Sequence, residues 1–388
     1  MPAIQQINLV FPIFMPMAIR ISFRGSPACF RRLSMLSLAV LTACAVQPTT
    51  QPPARDAMET PAAAPLPSPQ PAQSAPAPQR PPSPEKAALL SGWVDQQSRL
   101  YRVAAPLLIE NTALCKRQAR NLLGLTAKTR YSYGKGFVAE AQSALGLNER
   151  LKVMDVLPGS GAERSGIRKG DVLLAVDGKP LSQGPNAERD GAVLVNAAMR
   201  GRSSVTLNVE RNGEQLSIAT PLTNACAFGI ELGDSDLVNS YADGFRVMIN
   251  RGMLNFVRTD EELAYVLSKE IAHNTLTRSD RPRMSSTINK LRVLREDRSA
   301  PASMPALQPY SPVLDATADK LSLYMLTRAG YGTAGTIDFW KRLAAGHPAT
   351  MPNSYTALHP STAYRVSVMN QTLEAIKWKR HRKQAMVP

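Results

Sequence analysis

Histidine is scarce in this chain: there are four in 388 residues, His273, His347, His359 and His381. Any imidazole-based metal chemistry must be assembled from that small set. Cysteine is equally sparse, with four residues, which excludes a disulfide-dense scaffold. Acidic residues are outnumbered, 30 Asp+Glu against 46 Lys+Arg, for a formal net charge of +16. A balance of that sign suits an anionic surface such as a membrane face or a cell-wall polymer. Aromatics make up only 6% of residues, and no basic patch interleaved with them or nucleic-acid recognition motif appears, so nucleic acid is not an expected partner. Long apolar runs are missing too. The run before Cys44, Leu33 to Leu41, is too short to span a bilayer comfortably.

What is present begins with that short run. Arg31-Arg32 precede it and Leu41-Thr42-Ala43-Cys44 closes it, the order of a secretory signal with a small-residue cleavage site. The last four residues resemble a bacterial lipobox. That resemblance implies cleavage after residue 43, lipidation of Cys44, and, with Ala45 next, sorting to the periplasmic side of the outer membrane. An uncleaved anchor is the alternative. Residues 45–85 are dense in Pro, Ala, Gln and Ser and cannot bury enough apolar surface to fold, so an extended tether is expected from Cys44 to residue 85.

Residues 86–114 read as a helix, with Leu89, Leu90, Trp93, Leu100 and Val103 roughly along one face and a break or kink expected near its end at Pro106. With Cys29 in the leader and Cys44 lipidated, Cys115 and Cys226 remain. In an oxidising compartment the pair reads as a disulfide, against two free buried thiols as the alternative.

Residues 115–222 form a β-rich unit. Strand-like Val153–Val156 is followed by the turn Pro158-Gly159-Ser160-Gly161 and by Ser165-Gly166-Ile167-Arg168-Lys169-Gly170-Asp171. Val172–Val176 turns at Asp177-Gly178, and a hairpin turns at Asn212-Gly213. This order resembles a PDZ domain of the type attached to bacterial proteases. The resemblance implies capture of a peptide C-terminus by a loop before a strand that the peptide extends. Two segments are candidates for that loop: Gly134-Lys135-Gly136-Phe137, and Ala144 followed by Leu145, Gly146 and Leu147.

Residues 223–388 open with a hairpin signal at Asp243-Gly244, continue through Arg251-Gly252-Met253-Leu254, and start a helix at the capping box Thr259…Glu262. That helix carries Lys269-Glu270-Ile271-Ala272-His273. The pattern H-E-x-x-H grips a metal because positions i and i+4 share a helix face. Here Lys269 stands where the first His belongs. Downstream come Asp315-Ala316-Thr317-Ala318-Asp319 and His359-Pro360, with Arg365 beyond. Together these resemble peptidase family M48, the HtpX and CAAX-prenyl-protease kin.

That resemblance implies an α+β multidomain chain, a β-rich PDZ domain followed by a mainly α zincin-like domain with a small sheet. It implies zinc as cofactor, held by His273 and Asp315, with Lys269 in the remaining ligand position. Glu270 takes the general-base position, His359 a place beside the reacting carbonyl, and Asp319 that of a carboxylate orienting a ligand. The strand Phe245–Ile249 is expected to hold substrate by β-addition. His347 and His381 match no ligand position. Two functions follow as expectations: a zinc endopeptidase acting on envelope proteins, or a pseudopeptidase that binds peptide or protein clients. The basic end Lys377-Trp378-Lys379-Arg380-His381-Arg382-Lys383 reads as a solvated helix tail, with membrane-surface contact as the sharper alternative.

Overall fold

The computed structural model describes residues 81–277 and 309–388; the leader, Cys44 and the tether up to residue 80 lie outside the described residues. Helix α1, Pro84–Ile109, starts two residues before the expected position because Ser83 accepts the Lys86 N–H and Pro84 fits the first turn. It runs through Pro106 and ends within a turn of it, where the Glu110 N–H closes on the Pro106 carbonyl at 3.0 Å. Asn111 then ties the helix end down, donating to the carbonyls of Leu107 and Met325 at 2.9 and 3.1 Å.

The β-rich unit follows as β1 (Ala119–Leu122), β2 (Leu125–Lys128), α2 (Val138–Leu145), β3 (Lys152–Val156), α3 (Gly161–Arg164), β4 (Val172–Val176), β5 (Lys179–Pro180), α4 (Ala187–Met199), β6 (Ser204–Arg211), β7 (Glu214–Pro221) and β8 (Thr223–Cys226). Six strands form one sheet in the order β2-β3-β4-β6-β7, with β5 alongside β4. The β6–β7 hairpin turns at Asn212-Gly213, where both residues have positive φ, +52° and +84°. That is the turn whose twist matches paired strands.

β1 does not join this sheet. It pairs antiparallel with β8, Ala119 opposite Cys226, and Cys115 just before it is disulfide-bonded to Cys226. The β-rich unit therefore begins and ends at one neck. On an entropic account, closing a loop of that length contributes at most about 4–5 kcal/mol. Two cores follow from this arrangement. Leu123, Leu125, Val153, Leu173, Val195, Leu207 and Val209 pack inside the β-rich unit. α1 joins a second core that draws on both sides, burying Leu100 and Leu107 together with Phe137, Ala141 and Met154 of the β-rich unit and with Ile230, Val266 and Leu323 of the C-terminal elements. The helix thus packs against α2 as well as against the C-terminal elements.

The C-terminal body contains β9 (Gly229–Gly233), β10 (Ser240–Ala242), β11 (Arg246–Asn250), α5 (Arg251–Phe256), α6 (Asp260–Leu276), α7 (Pro312–Arg328), α8 (Thr336–Gly346), α9 (Tyr355–Leu358) and α10 (Ala363–His381). Its sheet runs β10-β11-β9, antiparallel then parallel. β11 is thus the middle strand, with partners on both sides, and cannot take up a substrate strand as expected for Phe245–Ile249. Thr259 caps α6, accepting the Glu262 N–H at 3.1 Å, while the Glu262 carboxylate reaches back to the Arg258 N–H at 2.7 Å. Every residue of α6 from Leu263 to Asn274 is buried. The helix is surrounded, so its charged residues lie in the protein interior. Among the described residues, no helix is long and apolar enough to cross a membrane.

Candidate functional site

α6 places Lys269, Glu270 and His273 at i, i+1 and i+4, and α7 places Asp315 and Asp319 one turn apart. The two helices pack against each other. The residue after α9 is His359, and Arg365 comes from the first turn of α10. Lys269, Glu270, His273 and Asp315 are each 0% exposed, and Asp319 and His359 are 1% exposed. Every residue expected at the centre is therefore brought together, without access to solvent.

Lys269 is the hub. Its ammonium donates to the Asp315 backbone carbonyl at 2.8 Å, lies 2.9 Å from Asp315 Oδ1, and donates to Asp319 Oδ1. Arg365 completes the lattice, with Nε 2.6 Å from Asp319 Oδ2 and Nη1 3.1 Å from Asp315 Oδ2. Two cations and two carboxylates thus alternate in a buried group. Asp319, expected to orient a metal ligand, instead pairs with Lys269 and Arg365. Ser240, Tyr310 and Tyr355 join the site without having been singled out in the sequence, whereas Arg365, six residues after His359, was named there with the His-Pro segment.

The imidazoles converge on the same carboxylate. His273 Nε2 and His359 Nδ1 lie 3.0 and 2.9 Å from Asp315 Oδ1. Tyr310 stacks on both rings at centroid distances of 3.8 and 4.7 Å, and its hydroxyl donates to the Ala242 carbonyl at 3.4 Å. Tyr355 stacks on His359 at 4.2 Å. Glu270 accepts from the Ser240 hydroxyl at 2.8 Å, with His359 Nε2 3.5 Å away. His347 meets Phe256 edge-on at 5.4 Å and takes no part.

Burial weighs against every charge here, and contact decides which survive. It pushes the Asp315 carboxyl up, but the Lys269 ammonium and the two imidazoles outweigh it and hold that carboxyl well below the usual range. It lowers Lys269, with Arg365 adding to the effect, while Asp319 and Asp315 oppose it. Burial raises Glu270, only partly offset by His359 and Ser240, and drives His273 well below its ordinary range. By contact, Lys269 and Arg365 are set against Asp315 and Asp319, two basic side chains to two carboxylates.

This balance gives a testable pH dependence. His273 has a lowered folded pKa, so its contribution is fully present above about pH 6.5 and is lost as pH falls through the folded value. Glu270 has a raised folded pKa, so its contribution is present below about pH 4.3 and is lost as pH rises through the folded value. The two oppose each other on acidification. Glu270→Gln should therefore steepen the loss of stability below neutral pH, read as a larger shift of the urea midpoint between pH 7.5 and 5.5 than in wild type. An equal or smaller shift would show that Glu270 is not protonated in the fold.

Zinc is the group that the residue pattern implies. His273, Asp315 and His359 offer ligand atoms within 4.8 Å of one another. Two features oppose a fit. A ligating imidazole usually donates its second N–H to a carboxylate or carbonyl. Here His273 Nδ1 and His359 Nε2 are buried with no hydrogen-bond partner among the described residues. The Lys269 ammonium also stands against Asp315 Oδ1. A divalent ion about 4 Å from it would be repelled by roughly 8 kcal/mol at an effective dielectric constant of about 20. The residues present do not fit the zinc site of the pattern they resemble.

The capture loop expected at Leu145–Leu147 is displaced as well. Leu145 ends α2, Gly146 is its left-handed cap at φ +60°, and Leu147 is buried. The strand that follows, β3, is paired on both sides. Gly134–Phe137 precedes α2 rather than a strand. β2, at the sheet edge, is the strand preceded by a suitable loop, Leu122-Leu123-Gly124.

Residues 123–222 match the PDZ domain family, and residues 204–373 match Peptidase family M48, the two matches overlapping at residues 204–222. The chain is 62% identical over 68 residues to the "Putative serine protease HhoA" of Synechocystis sp., covering 18% of this chain and 16% of that protein. It is 33% identical over 123 residues to the "Membrane metalloprotease ARASP, chloroplastic" of Arabidopsis thaliana, covering 30% and 27%. The chain thus spans well under half the length of either relative. Among solved structures, the HtrA3 PDZ domain bound to a phage-derived ligand is 24% identical, covering 27% of this chain and 88% of that one at a TM-score of 0.21. The HtrA-type protease AlgW with a tripeptide is also 24% identical, covering 30% and 36% at a TM-score of 0.20.

Proposed function

We propose that this is an envelope-anchored pseudopeptidase: a PDZ-bearing protein of M48 peptidase fold that binds extended polypeptide without hydrolysing it. The observation that carries this reading is the Lys269 ammonium, seated between Asp315 and Asp319 where the first imidazole of the metal motif belongs. It supplies the positive charge those carboxylates need. Glu270, buried beside a stacked His359 and bonded to Ser240, sits where burial raises its pKa and so works against the charged form a general base needs. The PDZ domain supplies the class of client, a peptide or protein segment able to pair as a strand.

A second reading is favoured by one observation, the convergence of His273, Asp315 and His359. On it the protein is a zinc endopeptidase of membrane-associated substrates, in the manner suggested by its M48 and metalloprotease relatives. Metal analysis of protein purified without chelator, together with incubation with unfolded casein, separates the two. The pseudopeptidase reading expects substoichiometric zinc and intact casein. Stoichiometric zinc with cleavage that a chelator stops would replace it by the second.

The anchor rests on Leu41-Thr42-Ala43-Cys44 and the tether that follows. Lipidated Cys44 would hold the protein at the periplasmic side of the outer membrane, its basic surface toward anionic lipid and envelope proteins. Metabolic labelling with an alkynyl fatty acid should tag wild type and leave Cys44→Ala unlabelled. Equal labelling of both would remove the anchor from the proposal.

A further inference from the structure

Five of the seven residues from 377 to 383 are Lys or Arg; the other two are Trp378 and His381. An ordered support presents this stretch. α10 packs on α7 and buries Arg365, Met369, Thr372 and Ile376, one face at helical spacing. Beyond Ile376 the backbone stays bonded: the Arg382 N–H donates to the Trp378 carbonyl at 3.1 Å, and the Gln384 N–H to that of Lys379 at 2.9 Å. Lys379 belongs to the support, its ammonium donating to the Val387 carbonyl and lying 5.0 Å from the Tyr324 ring centroid.

The other cations face outward. Lys377 reaches Glu374, and with both side chains 72% exposed that pair holds weakly. Arg380, His381 and Lys383 are exposed, and their side chains meet no carboxylate among the described residues. Glu374 is the one acid from 363 to 388. α7 adds Arg328, whose guanidinium reaches the Met386 carbonyl at 3.5 Å, and has no carboxylate after Asp319. One further acid, Glu110, is close, its backbone carbonyl accepting from the same guanidinium at 2.7 Å. Cations in a last helical turn complement the helix dipole, but that effect fades within the turn, and Arg382 and Lys383 stand beyond the helix end at His381. Trp378 is left in water as well. It is 49% exposed where Trp93 and Trp340 are 6% and 7%, and the Arg382 guanidinium lies 4.7 Å from its ring centroid. A half-wet indole bordered by basic groups has the composition of an interfacial anchor.

We infer that residues 377–383, at the end of α10, dock on an anionic phospholipid surface, Trp378 entering the headgroup layer while Arg380, Arg382 and Lys383 lie among the phosphates. This deepens the membrane placement proposed above, and rests on it for where the protein meets such a surface. Free phosphate would satisfy the cations and leave the indole in water, whereas a bilayer takes both.

The test uses the full chain reconstituted into vesicles of dibrominated phosphatidylcholine, alone or with added phosphatidylglycerol. Bromine quenches an indole that reaches the lipid, and Trp378→Phe gives the background from the buried Trp93 and Trp340. Wild type should be quenched at least about threefold more with phosphatidylglycerol than without, and the excess should fall as salt is added. Arg380→Gln/Lys383→Gln should lose most of that excess, and Trp378→Phe all of it. Circular dichroism establishes that both variants are folded. Equal quenching in the two lipids, an excess that survives in Trp378→Phe, or an undiminished excess in the double variant overturns the docking. Cys44 labelling is read separately. Unlabelled protein that keeps the excess loses the anchor alone, and labelled protein without the excess loses this contact alone.

Discussion

Lys269→Met should destabilise the protein by about 3–5 kcal/mol, measured as the loss of unfolding free energy in urea at pH 7.5. Methionine nearly fills the space of the lysine stem, so little of the effect comes from packing. The cost comes from Asp315 and Asp319, which remain buried at 0% and 1% exposure with only Arg365 left as a cationic partner. Neutralising one of them should recover part of the loss, so Lys269→Met/Asp319→Asn should be more stable than Lys269→Met alone. A single substitution that costs under about 1 kcal/mol would mean that the ammonium is not what holds the two carboxylates in the interior.

Lys269→His should turn a protein with little zinc into one that retains about one ion per chain after dialysis. The substitution changes two things at once. It removes the cation whose repulsion opposes a divalent ion by roughly 8 kcal/mol. It also places a second imidazole on the helix face that already carries His273 one turn later. Asp315, one methylene shorter than the family's glutamate, remains an acceptable zinc ligand. Any peptidase activity that appears should vanish with Glu270→Gln added, as the family mechanism requires a carboxylate beside the first ligand. If Lys269→His binds no more zinc than wild type, α6 and α7 do not hold the family's ligand geometry, and the fault lies deeper than one side chain.

Much of this arrangement was legible in the residues. The hairpin turns at Asn212-Gly213 and Asp243-Gly244, the Thr259 cap and the opening of α6 depend on neighbours in sequence, so local chemistry declares them. The cluster of Lys269, Glu270, His273, Asp315, Asp319 and His359 was legible for another reason, a motif whose members keep a fixed order. Leu145–Leu147 and Phe245–Ile249 misled because both were judged by local composition. Strand neighbours decide whether an edge is free, and those neighbours come from elsewhere in the chain.

The sequence by itself carried the resemblance to the two domain types, the lysine at the place of the motif's first histidine and the pairing candidates Cys115 and Cys226. Each is carried by the identity of a residue or by its spacing from residues nearby. Only the tertiary structure decided what those residues do together. It packed α1 against both α2 and the C-terminal elements more than a hundred residues away, because buried apolar area is won wherever surfaces fit, regardless of order along the chain. It seated the Lys269 ammonium between Asp315 and Asp319, which lie 46 and 50 residues away, and brought Arg365 in from α10 to finish the pairing. A charge in water needs no partner, whereas a charge in the interior does. Those partners were fixed by how α6, α7 and α10 pack, which no local pattern records.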